Sequence, residues 1–297
     1  MLTLFAIPKP FIGKYTFIQE NAIRSWLSLG AEVILFGNEQ GMVEVSRKFG
    51  VTHLPIAKNI YGTPILSDAF MRARSFSKSK YLGYINCDII LLTDIKKIIA
   101  QIHPRKFLLV GQRRPLAVKK HIVDWSGWQE KIASELDKKK SKPILGSSDY
   151  FIYPRNTTFS MPQFAVGRLY WDRWFFYWAK QFHVPIINAT NAICAVHQQH
   201  YAFPYAHGYS EKELGLEVRE NLRLLGGKQY AFSIYDADWY MSIQGTLIKR
   251  KFTIAHLIRN VEIYVIIASK FSRFWQPWFS ILQLGRKFVI RIRRLLE

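Results

Sequence analysis

The chain has 297 residues and is 49% hydrophobic, an ordinary globular composition with enough apolar content for one full core plus an appendage. Its 42 lysines and arginines against 21 acidic residues leave a formal charge of +21, which favours anionic partners: nucleotides, phospholipid headgroups or nucleic acid. Two cysteines, Cys87 and Cys194, argue against a disulfide-stapled fold and fit a reduced, cytoplasmic protein.

Leu2–Ile7 reads as a first strand closed by Pro8-Lys9-Pro10. It is too short for the apolar core of a signal peptide and has no basic segment before it. Ile18, Ala22, Ile23, Trp26 and Leu27 recur at helical spacing over Phe17–Leu29, and Gly30 ends that helix. Glu32–Phe36 is a second strand, Gly37–Gly41 its loop, Met42–Phe49 a short helix and Val51–Ile56 a third strand. A turn at Tyr61–Pro64 leads into a helix over Ile65–Phe76, and Tyr81–Ile85 reads as a core strand buried on both faces. Strand and helix alternate throughout, which predicts an α/β fold: a Rossmann-type, mostly parallel sheet flanked by helices with right-handed crossovers.

The apolar run is broken at Asn86-Cys87-Asp88 and resumes at Ile89–Leu92. A carboxylate inside a buried strand costs on the order of several kcal/mol unless it is paired or metal-bound. Ligands bind at the carboxyl edge of open α/β sheets, and Asp88 falls at that edge.

From Asp94 to Lys142 the chain turns basic and polar, with a strand at Phe107–Gly111, a helix around Trp125–Asp137 and an exposed loop at Lys138–Lys142. Apolar order returns at Ser148–Pro154, in the aromatic helix Trp171–Phe182, at the strand Pro185–Ala189 and in the run Ala192–Val196 that ends at His197. Ile254–Ala268 contains Arg259 and Glu262 and falls short of the ~20 apolar residues a spanning helix needs. From Lys249 to Glu297, eleven basic residues face two acidic ones, an excess of nine. Over Trp278–Leu296 apolar residues interleave with Arg286, Lys287, Arg291, Arg293 and Arg294. Such a basic amphipathic helix lies in the interface of an anionic membrane with Trp275 and Trp278 at headgroup level, or packs on the main domain or a second subunit. Expected boundaries are therefore 1–245 for the main domain, halved into 1–93 and 94–245, and 246–297 for the tail.

Tyr84-Ile85-Asn86-Cys87-Asp88-Ile89-Ile90-Leu91, Ser148–Pro154, Phe164–Arg168, Trp171-Asp172-Arg173-Trp174 and Ala195–His200 together resemble a bacterial family of nucleotide-diphospho-sugar transferase-like proteins of the GT-A glycosyltransferase type. The resemblance runs from about Leu2 to Asp238. It implies a nucleotide-sugar site in the first half of the main domain and acceptor-binding and catalytic elements in the second. It implies further that an Asp-x-Asp step, here Asn86-Cys87-Asp88, holds a divalent metal, Mn²⁺ or Mg²⁺, across the donor's two phosphates. Asn86 departs from the usual first Asp. A late histidine completing such a metal site points to His197, with His200 and His207 nearby as phosphate ligands or loop residues.

In an inverting transferase a carboxylate takes the proton from the acceptor hydroxyl. Asp172, at the start of an aromatic helix, is the candidate base, or a simple helix cap. Asp149 is the alternative base or an acceptor ligand. Pro8 and Lys9 after the first strand, Asn38 and Glu39 after the second, and Thr63 and Asp68 lie at the edge where base and ribose dock, or act as ordinary loop and cap residues. Arg168 matches a diphosphate in bidentate fashion, or pairs with a structural carboxylate. The expected function is metal-dependent transfer of a sugar from a nucleotide donor to a glycan or lipid-linked acceptor, peripheral on the inner face of the cell membrane. The alternatives are a nucleic-acid-binding protein, for which no motif is present, and a nucleotide-binding protein that has lost catalysis.

Overall fold

The computed structural model describes residues 1–122, 126–200, 215–251, 253–275, 277, 278, 280 and 281. Two compact units divide the chain, Met1–Lys249 and Arg250–Glu297.

The first unit opens with β1 (Leu2–Ala6), α1 (Lys14–Ser28), β2 (Glu32–Phe36), α2 (Met42–Phe49), β3 (Thr52–Leu54), α3 (Leu66–Phe76) and β4 (Tyr81–Ile85). There follow β5 (Ile89–Leu91), α4 (Ile95–Ala100), β6 (Leu108–Val110), β7 (Arg113–Leu116), α5 (Trp128–Lys138) and β8 (Tyr150–Pro154). The unit closes with α6 (Trp171–Gln181), β9 (Ile186–Asn188), β10 (Ala195–Gln198), α7 (Gly215–Leu225), β11 (Trp239–Met241) and β12 (Leu247–Lys249). Nine strands form one sheet in the order β12-β11-β9-β6-β8-β4-β1-β2-β3. Only β8 and β12 run against the rest. The α/β fold with a mostly parallel central sheet is therefore the one the strand and helix alternation predicts.

Alternate residues of the central strands feed two cores. Leu2, Leu4 and Ala6 of β1 and Tyr150 and Ile152 of β8 join Ile23 and Trp26 of α1 in one cluster. Phe5, pointing the other way, meets Phe70 of α3 and Tyr84 of β4 at ring-centroid distances of 5.0 and 5.7 Å. Tyr153, Phe159 and Phe175 extend that aromatic layer onto α6. Burial on both faces is why these strands read as unbroken apolar runs. Gly83 in β4 sits where the strand is crowded: a Cβ there would meet Leu4 Cδ2 at 2.7 Å and Ile152 Cγ1 at 2.9 Å.

Three expectations need correction. Ile89–Leu92 does not continue β4; β5 turns into a second sheet of order β5-β10-β7, antiparallel to β10. Its third strand, β7, lies in the stretch read as polar, because Arg113, Arg114 and Pro115 are only partly buried and give no apolar alternation. The third strand of the large sheet is the short Thr52–Leu54 rather than Val51–Ile56. β11 and β12, an antiparallel hairpin with Trp239 opposite Lys249, lie within the first unit.

In the second unit, α8 spans Ile254–Phe271. No helix of the described residues is long and apolar enough to cross a membrane. Arg286, Lys287, Arg291 and Arg294, and most of the expected tail helix, lie outside the described residues.

Candidate active site

β4 ends at Ile85, and the chain then turns from the large sheet into the small one. The turn is closed by the Ile89 amide donating to the Asn86 carbonyl at 3.1 Å, and an asparagine suits its first position. The Asn86 amide continues the ladder by donating to the Asp149 carbonyl at 3.0 Å. Asp88 is thereby held at the junction of the two sheets, on the carboxyl side of β4.

β10 completes the junction. Its residue His197 stands opposite Ile89, and the Gln198 amide donates to the Asp88 carbonyl at 3.1 Å. Strand alternation buries Val196 and Gln198 and turns His197 to the other side. The buried Gln198 side chain is fixed by donating to the Ile18 carbonyl at 2.7 Å and by accepting from Asn21 at 3.0 Å. His200, two residues beyond β10, is held by Lys14, whose amine donates to its carbonyl at 2.9 Å, and by an edge contact with Tyr15 at 5.5 Å.

These constraints bring three side chains to one point. His197 Nε2 and His200 Nε2 lie 3.3 and 3.0 Å from the same atom, Asp88 Oδ2. The potential ligand atoms of the three all fall within 4.8 Å of one another, the only such His/Cys/Asp/Glu group among the described residues. Separations of this size suit adjacent donors each about 2.1 Å from a single cation. Asp88 Oδ1 and His200 Nδ1 are buried with no hydrogen-bond partner in the protein, so the cluster is not satisfied by its own members. Burial alone would raise the Asp88 carboxyl, but the bonds to the two imidazoles outweigh it and hold Asp88 well below the usual carboxylate range. An ionised carboxylate flanked by two imidazoles fits a divalent first-row cation.

Beside this cluster Asp149, only 2% exposed, accepts at Oδ1 from Asn86 Nδ2 at 3.0 Å and from the Arg113 guanidinium. Asp149 Oδ2 and Arg113 Nε are buried without partners. Burial raises the Asp149 carboxyl; Arg113 pulls it back, and the charge on Asp88 pushes it up again. Asp172 occupies the first turn of α6, where Tyr170 enters the helix at a left-handed φ of 84°, a conformation costly for an aromatic residue. Its side chain is partly open, 21% exposed, and lies 3.6 Å from Arg173. Burial raises the Asp172 carboxyl, Arg173 offsets part of this, and the charge on Asp149 adds to the rise. Asp149 is thus linked electrostatically both to Asp88, in the turn after β4, and to Asp172, in the first turn of α6.

Other expected residues fall in different settings. The loop after β1 is linked to the cluster through Tyr15, which meets His200: Lys9 exchanges backbone hydrogen bonds with the Gln19 side chain at 2.7 and 2.9 Å and holds its amine 4.8 Å from the Tyr15 ring. Pro8 is buried in that loop. After β2, Asn38 is exposed and Glu39 pairs with Lys58 at 2.8 Å. Asp68 is taken up by the Ala57 amide at 2.7 Å and by Arg72 at 2.9 Å. Arg168 pairs with Glu217 of α7 at 2.6 Å, so its alternative reading, a structural ion pair, describes its place. Thr63 and Asn59 bond to the same glutamate, and the four tie two loops to α7. His207 lies outside the described residues. Arg113 and Glu217 escaped sequence reasoning: neither stands in an apolar pattern, and each acquires meaning only from a distant carboxylate or guanidinium.

No protein-family model and no curated protein sequence matches the chain. Solved structures do. Glucosyl-3-phosphoglycerate synthase from Mycobacterium tuberculosis in complex with Mn²⁺, UDP and glucosyl-3-phosphoglycerate is 12% identical, covers 76% of this chain and 78% of its own, and has a TM-score of 0.43. S. aureus TarS 1-349 in complex with UDP-GlcNAc is 13% identical over 77% of this chain and 68% of its own, at a TM-score of 0.44. A mycobacterial protein is 14% identical over 78% of this chain and 74% of its own, at 0.45.

Proposed function

We propose that the chain is a metal-dependent, GT-A-type glycosyltransferase that moves a sugar from a nucleoside-diphosphate donor to the hydroxyl of a glycan or lipid-linked acceptor. The observation that carries this reading is the Asp88–His197–His200 cluster at the carboxyl edge of the sheet, with Asp149 beside it and Asp172 in turn linked to Asp149. Asp88, His197 and His200 would hold Mn²⁺ or Mg²⁺. Bound there, the cation neutralises the charge that builds on the departing diphosphate.

The remaining work falls to the chain's own residues. Lys9, on the loop after β1, would add positive charge for a diphosphate, and Tyr15 offers a ring beside it. Asp149 is too enclosed and too firmly held by Arg113 and Asn86 to leave its place, which suits it to orient the sugar or the acceptor. Both carboxyls are raised, but Asp172 is partly open where Asp149 is enclosed, which makes Asp172 the accessible proton acceptor of the two. It takes the proton of the acceptor hydroxyl as the acceptor oxygen bonds to the sugar's anomeric carbon and the bond from that carbon to the diphosphate breaks.

The chain also attaches peripherally to an anionic membrane in this proposal, a reading supported by the excess of nine positive charges from Lys249 onward. Two free cysteines suit a reducing, cytoplasmic setting on the inner face of the membrane. The test is a panel of UDP-, GDP- and CDP-sugars incubated with membrane extracts as acceptor source, with release of nucleoside diphosphate as the readout. Release from one donor that requires Mn²⁺ or Mg²⁺ and is lost in Asp88→Ala supports the reading. Tight metal-dependent nucleotide binding without release would support instead a nucleotide-binding protein that has lost catalysis, the reading that Asn86 favours.

A further inference from the structure

α8 is apolar on two sides. Ile263 and Ile266 are buried, whereas Ile254, Leu257, Ile258, Val261 and Tyr264 are 46–76% exposed. Their spacing sets these five on a single stripe about three turns long. Arg259 and Glu262, the charged residues within this stretch, are paired with each other at 2.7 Å. Phe274, Trp278 and Ile281 beyond the helix are also exposed, so that eight of the 22 exposed large apolar side chains among the described residues fall between Ile254 and Ile281. Density of this kind marks an interaction surface.

The charge of the surrounding sequence identifies the occupant. Lys249, Arg250 and Lys251 precede the helix, and the 49 residues from Lys249 to Glu297 carry eleven basic side chains against two acidic ones. A second copy of the chain matches the apolar stripe and opposes the charge, whereas a bilayer with anionic headgroups matches both. We propose that the exposed stripe of α8 is the surface by which the chain enters the interface of an anionic membrane, the helix lying in the membrane plane. This deepens the membrane part of the proposed function and does not depend on the transfer chemistry.

The test is co-sedimentation of the full-length protein with vesicles of phosphatidylcholine alone and of phosphatidylcholine with phosphatidylglycerol. Leu257→Gln and Val261→Gln, both at exposed positions, are compared with an Arg286→Gln/Lys287→Gln/Arg291→Gln variant, and circular dichroism checks that each stays folded. The proposal predicts binding to the anionic vesicles that weakens at least tenfold in either stripe variant. Unchanged binding in both stripe variants, with loss in the basic variant, would overturn the role of α8 and leave membrane attachment to the basic segment. A wild-type protein that ignores both vesicle types would overturn membrane attachment altogether. A concentration-dependent dimer dissolved by the same stripe substitutions would assign the stripe to a second copy.

Discussion

His200 Nε2 lies 3.0 Å from Asp88 Oδ2, although the two residues are 112 positions apart. The contact forms because the turn after β4 sends β5 into the small sheet, where β10 pairs with it and delivers His197 and His200 to the same oxygen. A candidate metal site is thus assembled at the seam between two sheets, within the electrostatic reach of Asp149.

Asn86 is held by Asp149, and this sets what a second carboxylate would do there. The Asn86 amide donates to Asp149 Oδ1 at 3.0 Å. Asn86→Asp replaces that bond with two like charges, so one carboxyl of the pair must hold a proton or the turn must loosen. The expected outcome is a loss of about 1–3 kcal/mol at neutral pH by denaturant unfolding, recovered largely in the Asn86→Asp/Asp149→Asn double variant. Full stability in the single variant would show that the two side chains do not share a site.

With Asp172 as the proposed base, the acid side of the rate profile is expected to follow its carboxyl. Burial, with the charge of Asp149, raises its folded carboxyl above the ordinary value of 3.8. The base works only when deprotonated, and a raised carboxyl keeps its proton to higher pH, so turnover falls as pH drops through a value above that of a free aspartate. Asp172→Asn is expected to lower kcat by about 10²–10⁴ while leaving nucleotide affinity unchanged. An unaltered kcat would return Asp172 to the role of a helix cap.

The Glu217 knot makes a pH-dependent contribution to stability. Burial opposes its ionisation, but bonds from Asn59, Thr63 and Arg168, with the Arg168 charge, bring its folded carboxyl below the ordinary 4.5. A lowered folded value means the contribution is fully present above the unfolded value and disappears as pH falls through the folded one. Glu217→Gln should therefore cost about 1–2 kcal/mol at pH 7, the partly exposed Arg168 reducing the effect, and little once the pH has fallen below the lowered folded value. A cost independent of pH would show that packing of α7, not the charge, is what the substitution removes.

The early elements were readable because each carries its own local pattern. Met42–Phe49 has helical spacing ended by Gly50, and Glu32–Phe36 is a run too short for a helix; both appear where the spacing predicts them. The Asn86-Cys87-Asp88 step was visible because polarity breaks a buried run. Which sheet the next strand joins was not visible, since Ile89–Leu91 is equally apolar in either and the choice is made by pairing with β10 more than a hundred residues later. The same holds for Arg113, a polar residue in a half-exposed strand whose partner is Asp149 on β8's approach. Local periodicity announces an element; long-range pairing decides what its side chains meet.

The measurement that bears most directly on the account is calorimetric titration of Mn²⁺, with UDP, GDP and CDP present in turn, into wild type, Asp88→Ala and His200→Ala. The account predicts one saturable site in the wild type, no detectable binding in Asp88→Ala and at least tenfold weaker binding in His200→Ala, with all three proteins equally folded. Equal Mn²⁺ affinity in the three, or none in the wild type, would contradict it.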